Sequence, residues 1–188
     1  MTIASNIIRS EHCEIECVLK GFSRLAYNLE SDFHRVDRNL LWLLLDWIEA
    51  FPPTFHHPKE EDHLFPAIVA RCPEAAGLVE QLIHEHSQGI DLMTELRNAL
   101  KAGPDGAFSG QAFCDAAMRY VALEQAHIRL EEDRLLPLAS RVLSHDDWAG
   151  INRAFLNDAD PLLTSSRRQQ FNALFVKILH DLSQGIAA

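Results

Sequence analysis

Two stretches of the chain carry nearly the same phrase. Residues 56–66 read HHPKEEDHLFP and residues 127–137 read HIRLEEDRLLP, so H-x-x-x-E-E-D-x-L-[FL]-P occurs twice, seventy-one residues apart. Residues four apart on a helix stack on one face, which pairs His56 with Glu60 and His127 with Glu131. Imidazole nitrogen and carboxylate oxygen together suit iron, manganese or zinc. A lone H-x-x-x-E is more often a solvated pair on a helix surface. Two of them in matching phrases call for partners on other helices, and the chain supplies them. His12 lies between Ile8 and Ile15 on one apolar stripe, and His86 lies four after Leu82 and four before Ile90 on another.

Singly, His12 or His86 would read as a satisfied core histidine. Together with the doubled phrase they make a set of six inward ionisable groups: His12, His56, Glu60, His86, His127 and Glu131. Burying six such groups is costly without compensation, and two divalent cations would provide it. Glu60 and Glu131 would bridge them, two histidines would serve each, and open positions would remain for water, oxygen or another small ligand.

The other titratable residues divide by phase. His84, two residues from His86, faces away from it. His34, His63, His145 and His180 fall outside the repeated slots. His57 neighbours His56 and points a fraction of a turn away, as a further ligand or as a surface residue. Glu61, Asp62, Glu132 and Asp133 are expected either to orient the ligating histidines or to form solvated acidic faces. Tyr120, two turns before His127, reads as core. No residue is clearly placed as a general base.

The elements that must position these groups are helical almost throughout. Period-2 runs and Asn-Gly turns are missing, and helical periodicity recurs along the chain. The expected helices run roughly from Ser5 to Glu30, Phe33 to Arg71, Pro73 to Lys101 and Gln111 to Val142. Pro52 and Pro53 must break or kink the second. Ile8, Ile15, Leu19, Phe22 and Leu25 form the inner face of the first helix; Leu78, Leu82, Ile90 and Met93 that of the third; Phe113, Ala117 and Tyr120 that of the fourth. Short connections favour an all-α, antiparallel four-helix bundle over residues 1–143. Residues 144–188 read as two extra C-terminal helices packed on the bundle. Ser144 and Asp147 approximate a capping box for the first, and the second spans about Arg167 to Leu182.

Composition narrows the partners. A hydrophobic share of 47% supports a packed core, and a formal net charge of −10 opposes nucleic-acid and anionic-membrane binding. The N-terminal residues lack a signal-peptide pattern. The longest apolar run, LLWLLLDWI at residues 40–48, is too short to span a bilayer. Cys13, Cys17, Cys72 and Cys114 form no CxxC pair and read as free thiols of a reducing compartment. A soluble, cytoplasmic protein is expected.

The ordered set of one inward His, H-x-x-x-E before L-F-P, E-H, then H-x-x-x-E before L-L-P resembles the haemerythrin-like HHE cation-binding domain family over residues 5–142. The wording FPPTFHHPKEEDHLFP and the tail DDWAGINRAF are similar to a proteobacterial subgroup with a C-terminal helical extension. The resemblance implies a non-haem di-iron centre on His12, His56, Glu60, His86, His127 and Glu131, with both glutamates as bridges; manganese and zinc are the alternatives. Ile90 stands where oxygen-carrying haemerythrins place a second histidine on the third helix. The related iron–sulfur repair proteins carry a short N-terminal cysteine-bearing domain; with the first helix expected from about Ser5, that role is not the one expected. The resemblance implies a protein that binds or senses oxygen, nitric oxide or redox state. A di-iron oxidoreductase acting on peroxide or nitric oxide is one alternative, and a structural, metal-stabilised helical interaction protein is another. The oligomeric state is left open, a homodimer included.

Overall fold

The computed structural model describes residues 2–31, 38–101, 110–157 and 173–180, and all its regular elements are helical. Helix α1 spans Ile3–Ser31 and α2 spans Arg38–Phe51. The chain then continues through a wide turn at Pro52–His56, a single α-turn His57–Lys59 (α3), and a second wide turn at Glu60–Leu64 into α4, Phe65–Arg71. Helix α5 covers Ala76–Lys101 and α6 covers Gly110–Leu130. A third wide turn, Glu131–Leu135, leads into α7, Leu136–Val142, and α8 follows at His145–Asn157. Residues 173–180 form α9. The expected starts of the second and last helices, near Phe33 and Arg167, lie outside the described residues.

The wide turns have a local cause. A proline nitrogen cannot donate to the carbonyl four residues back, and its ring crowds that carbonyl. Pro66 and Pro137 each follow the repeated acidic phrase by a few residues. In both places the backbone widens into a π turn, with the Phe65 N–H donating to the Glu60 carbonyl and the Leu136 N–H to the Glu131 carbonyl. Pro52 and Pro53 open the earlier widening, closed by the His57 N–H on the Pro52 carbonyl. Expected as a break or kink, the disturbance is instead absorbed as π turns within a continuing helical path, a device frequent at functional sites.

The apolar stripes pack into two cores. One contains Ile15, Leu19, Phe22, Leu44, Trp47, Phe51, Leu96, Phe113, Ala117 and Tyr120. The other contains Ile8, Leu64, Phe65, Leu82, Leu135, Leu136, Trp148, Ile151 and Phe155. Helices α1 and α5 run from the second core to the first, while α2 and α6 run from the first to the second, which makes the four antiparallel as expected. Between the cores, every helical path switches from apolar to polar in one layer: Glu11 and His12, His56 and Glu60, His86, His127 and Glu131, all buried. The third helix departs from expectation. Its buried stripe runs Val79, Leu82, His86, Gly89, Met93 and Leu96, and Ile90 is 54% exposed. The expected 82–86–90 line advances about 40° per step beyond a full turn, which carries Ile90 out of the interior.

The C-terminal segment is tied to the bundle by caps and packing. The Asp147 N–H donates to Ser144 Oγ at 3.2 Å, and the Ser144 N–H donates to Asp147 Oδ2 at 2.8 Å, the reciprocal pair of a capping box. Asn152 Oδ1 on α8 accepts from the Ala4 N–H of α1 at 2.8 Å, satisfying one of the free donors at that helix start. On the other core, Ile178 of α9 is buried and the Phe175 ring lies 6.0 Å from Trp47. Among the described residues, no helix is long and apolar enough to cross a membrane.

Candidate metal centre

The six donors predicted from sequence meet in the polar layer. His12, His56, Glu60 and Glu131 form one group, and Glu60, His86, His127 and Glu131 form a second. Within each group the donor atoms lie within 4.8 Å of one another, and every member is buried. The two glutamates belong to both groups. His56 Nε2 lies 3.3 Å from Glu60 Oε1, and His127 Nε2 lies 3.5 Å from Glu131 Oε1, so the i,i+4 spacing acts within each phrase. Across the layer, His12 Nε2 lies 3.0 Å from Glu131 Oε2, and His86 Nε2 lies 3.6 Å from Glu60 Oε2.

These inner atoms are short of partners. Both oxygens of Glu60 and Glu131, with Nε2 of His12 and His56, are buried without a hydrogen bond. His12 Nε2 and Glu131 Oε2 are close but not aligned as donor and acceptor. Leaving so many buried polar atoms unsatisfied is costly. Two imidazole nitrogens and two carboxylate oxygens per group are a donor set that fits a divalent cation in each.

The outer nitrogens are fully committed. Nδ1 of His12 meets Glu132 Oε1 at 3.0 Å, and Nδ1 of His56 meets Glu11 Oε2 at 3.2 Å. Nδ1 of His86 meets Glu61 Oε1 at 2.6 Å, and Nδ1 of His127 meets Glu85 Oε2 at 3.0 Å. An ionised carboxylate only accepts, so each Nδ1 donates and each Nε2 is turned toward the centre; there His86 Nε2 and His127 Nε2 lie 3.1 Å apart and share a hydrogen bond. The carboxylates circulate round the bundle. α1 holds the histidine after α2, the turn after α3 holds that of α5, α5 holds that of α6, and the turn after α6 holds that of α1. The expectation for Glu61 and Glu132 as orienting acids is met. Glu11 and Glu85 escaped the sequence reading, although each precedes a predicted histidine in an E-H dipeptide that recurs in both halves of the chain.

The halves differ in charge. Glu11 also accepts from the buried Lys59 ammonium, and Glu132 accepts from Arg9 Nη1 at 3.0 Å. Among the described residues, Glu61 and Glu85 have no basic side chain beyond the histidines they orient; Glu85 accepts from Gln81 at 2.8 Å. Lys59 sits three after His56, where the second phrase has Leu130.

Without cations the layer sorts its protons unevenly. Burial first and the Glu131 charge second hold Glu60 well above the usual carboxylate range. For Glu131 burial acts upward, but His12, His127 and His56 outweigh it and bring the carboxyl down to about 2. For His12 burial acts downward and is outweighed by Glu131 and then Glu132, which raise its pKa. His56 and His86 are lowered, by burial first and then by His12 and His127 respectively.

His57 belongs to neither group. Its half-buried ring stacks on His86, with centroids 3.7 Å apart and planes at 10°. His84 is exposed as expected, and His63 packs 6.3 Å from Phe155, away from both groups. Tyr120 is core, as expected, and Glu124, one turn further along the same inward stripe, is a buried carboxyl beside it. The four cysteines are free thiols.

Compared with curated proteins and with solved structures, the chain finds no match. The description "Hemerythrin HHE cation binding domain" matches residues 44–139, just over half of the 188 residues. The matched span carries both doubled phrases and the E-H of α5; α1, with Glu11 and His12, is joined to it by the packing just described. The chain belongs to the hemerythrin HHE cation-binding domain family.

Proposed function

We propose that the chain holds a pair of iron ions in the polar layer and uses them to bind or sense oxygen, nitric oxide or redox state. His12 and His56 would hold one ion, His86 and His127 the other, with Glu60 and Glu131 shared. The observation that carries this reading is the pairing of unsatisfied, converging inner atoms with fully occupied outer nitrogens. Such a set would bind a cation without first breaking a hydrogen bond to any histidine Nδ1. When bound, iron supplies an electron-rich centre with positions open to a diatomic ligand. Manganese and zinc suit the same donors. The free thiols agree with a reducing, cytoplasmic setting.

The test is to express the chain with iron, purify it without air, measure metal per chain and record absorption before and after oxygen. About two irons per chain, with new bands on oxidation, is the expected result by the two-group geometry. His127→Ala should abolish stoichiometric binding. Unchanged iron content in that variant would overturn the assignment. Tightly held zinc with no air-sensitive band would point to a structural centre, visible as a metal-dependent rise in melting temperature.

A second reading, an oxidoreductase for peroxide or nitric oxide, is favoured by one observation. The buried Glu124–Tyr120 pair shares a cavity with His86 and could supply protons there. Turnover of peroxide or nitric oxide by the iron-loaded chain supports it; stoichiometric binding without turnover rejects it.

A further inference from the structure

A cavity of about 240 Å³ opens between α2, α5 and α6, and His86 is part of its lining. A diatomic ligand needs a small fraction of that space. We propose that this cavity is a binding site for a small neutral aromatic molecule with one hydroxyl group, of phenol size.

Size is the first argument. An apolar cavity of roughly 150 Å³ accommodates benzene, and drug-sized ligands occupy about 300 Å³ or more. The present volume lies between them, room for one ring and a short substituent. Chemistry is the second. The walls include Ile48, Pro52 and Met93, with exposed Ile90 at the rim. His57 contributes a flat ring held in place by its stack on His86. Aromatic ligands pack well on such a face. At the base stand Tyr120 and Glu124, the latter only 6% exposed. None of the four histidine Nδ1 atoms uses Glu124. A buried carboxyl needs hydrogen-bonding company, and beyond Tyr120 the cavity is where a ligand hydroxyl would provide it.

Gly89 keeps the base open. A Cβ at this position would lie 2.9 Å from Glu124 Oε1 and 3.8 Å from Tyr120 Cε2. A glycine inside α5 weakens the helix relative to alanine, so its presence against that preference matches a need for space. Charge is the last argument. Glu49, engaged by Arg97, and Glu124 both line the cavity in a chain of net charge −10. An anionic ring would meet repulsion; a neutral one would not.

The proposal deepens the metal-centre reading, because His86 lines both the cavity and the second donor group. Its test is calorimetric titration of phenol into the iron-loaded full chain, with benzoate as the anionic comparison. One phenol per chain is expected, with benzoate weaker by about tenfold or more. Gly89→Ala should weaken phenol by about tenfold while leaving iron content unchanged. If that variant folds poorly, Ile90→Trp at the exposed rim obstructs the cavity from outside and should have the same effect. Iron-loaded chain that binds no phenol, or Gly89→Ala and Ile90→Trp that both bind it as well as the wild type, would overturn the cavity assignment and leave the metal reading standing. Phenol binding blocked by these substitutions in a chain that takes up no metal would uphold the cavity and remove the metal reading.

Discussion

Glu85 on α5 accepts a hydrogen bond from Nδ1 of His127 on α6 at 3.0 Å, across forty-two residues of sequence. The same relation joins Glu11 to His56 at 3.2 Å in the first half of the chain. Each carboxylate sits beside a histidine it does not touch in this way and orients one on the next helix. The donor layer is thus held by bonds between helices, and its geometry depends on the whole bundle being closed.

Glu85→Ala should leave the helices intact and lower metal affinity by about 10–100-fold, the usual effect of removing an orienting carboxylate. Competition against a chelator of known affinity measures it. Glu95→Ala, whose carboxylate pairs with Arg119 on the surface, is the matching change outside the layer. Equal losses in the two variants would show that Glu85 acts only through general charge.

Metal uptake should release protons. Glu60 and His12 have raised pKa values in the metal-free layer, and both must be unprotonated to bind a cation. A raised folded-state pKa contributes stability that is full below the unfolded value, 4.5 for Glu60 and 6.5 for His12, and lost as pH rises through the folded value. The lowered His56 and His86 act oppositely, contributing above 6.5 and losing that contribution as pH falls. Glu131, brought down to about 2, contributes above 4.5 and loses this only in acid. Above 6.5, His12 therefore sets the trend. The metal-free chain should become less stable as pH rises, while metal binding tightens. Zinc titrations in two buffers of different ionisation heat, with melting curves across pH, measure both; uptake without proton release would refute the assignment of protons.

Lys59→Met should destabilise the chain by about 3–5 kcal/mol, because it leaves Glu11 buried without its cation. Lys59 is only 5% exposed. Denaturant unfolding of the metal-free protein gives the number. A loss below about 1 kcal/mol, the range of surface pairs, would mean that Glu11 is neutralised by another route.

Ser144→Ala removes one half of the capping box at the start of α8. A loss of about 2–4 °C in melting temperature is expected for a cap of ordinary strength in a chain of this size. Metal content should not change, since α8 contributes to the second core and not to the donor layer. Loss of metal in this variant would show that α8 supports the centre directly.

Much of this was legible in the residues. Helix periodicity set the four-helix scheme, the Ser144–Asp147 cap was readable from spacing, and the six inner donors followed from two phrases and two apolar stripes. These are local properties: a helix repeats every 3.6 residues, so a short stretch reports which side chains share a face. Even the failure at Ile90 was local, an i,i+4 line followed past the point where it leaves the interior.

Other features belong to the tertiary structure. Which carboxylate holds which Nδ1 depends on how neighbouring helices are staggered, and nothing in the spacing of Glu85 and His127 expresses that. His57 was undecided from sequence because π turns change the angle per residue; the fold sets it against His86 instead of toward the donors. Gly89, Glu124 and Tyr120 are unremarkable along their own helices and acquire a role only where α5 meets α6. Sequence by itself determined the helices and the inward donors, because both are fixed by backbone geometry over a few residues. Only the packed bundle decided their second partners and the space beside them, because those depend on distances between segments that share no local pattern.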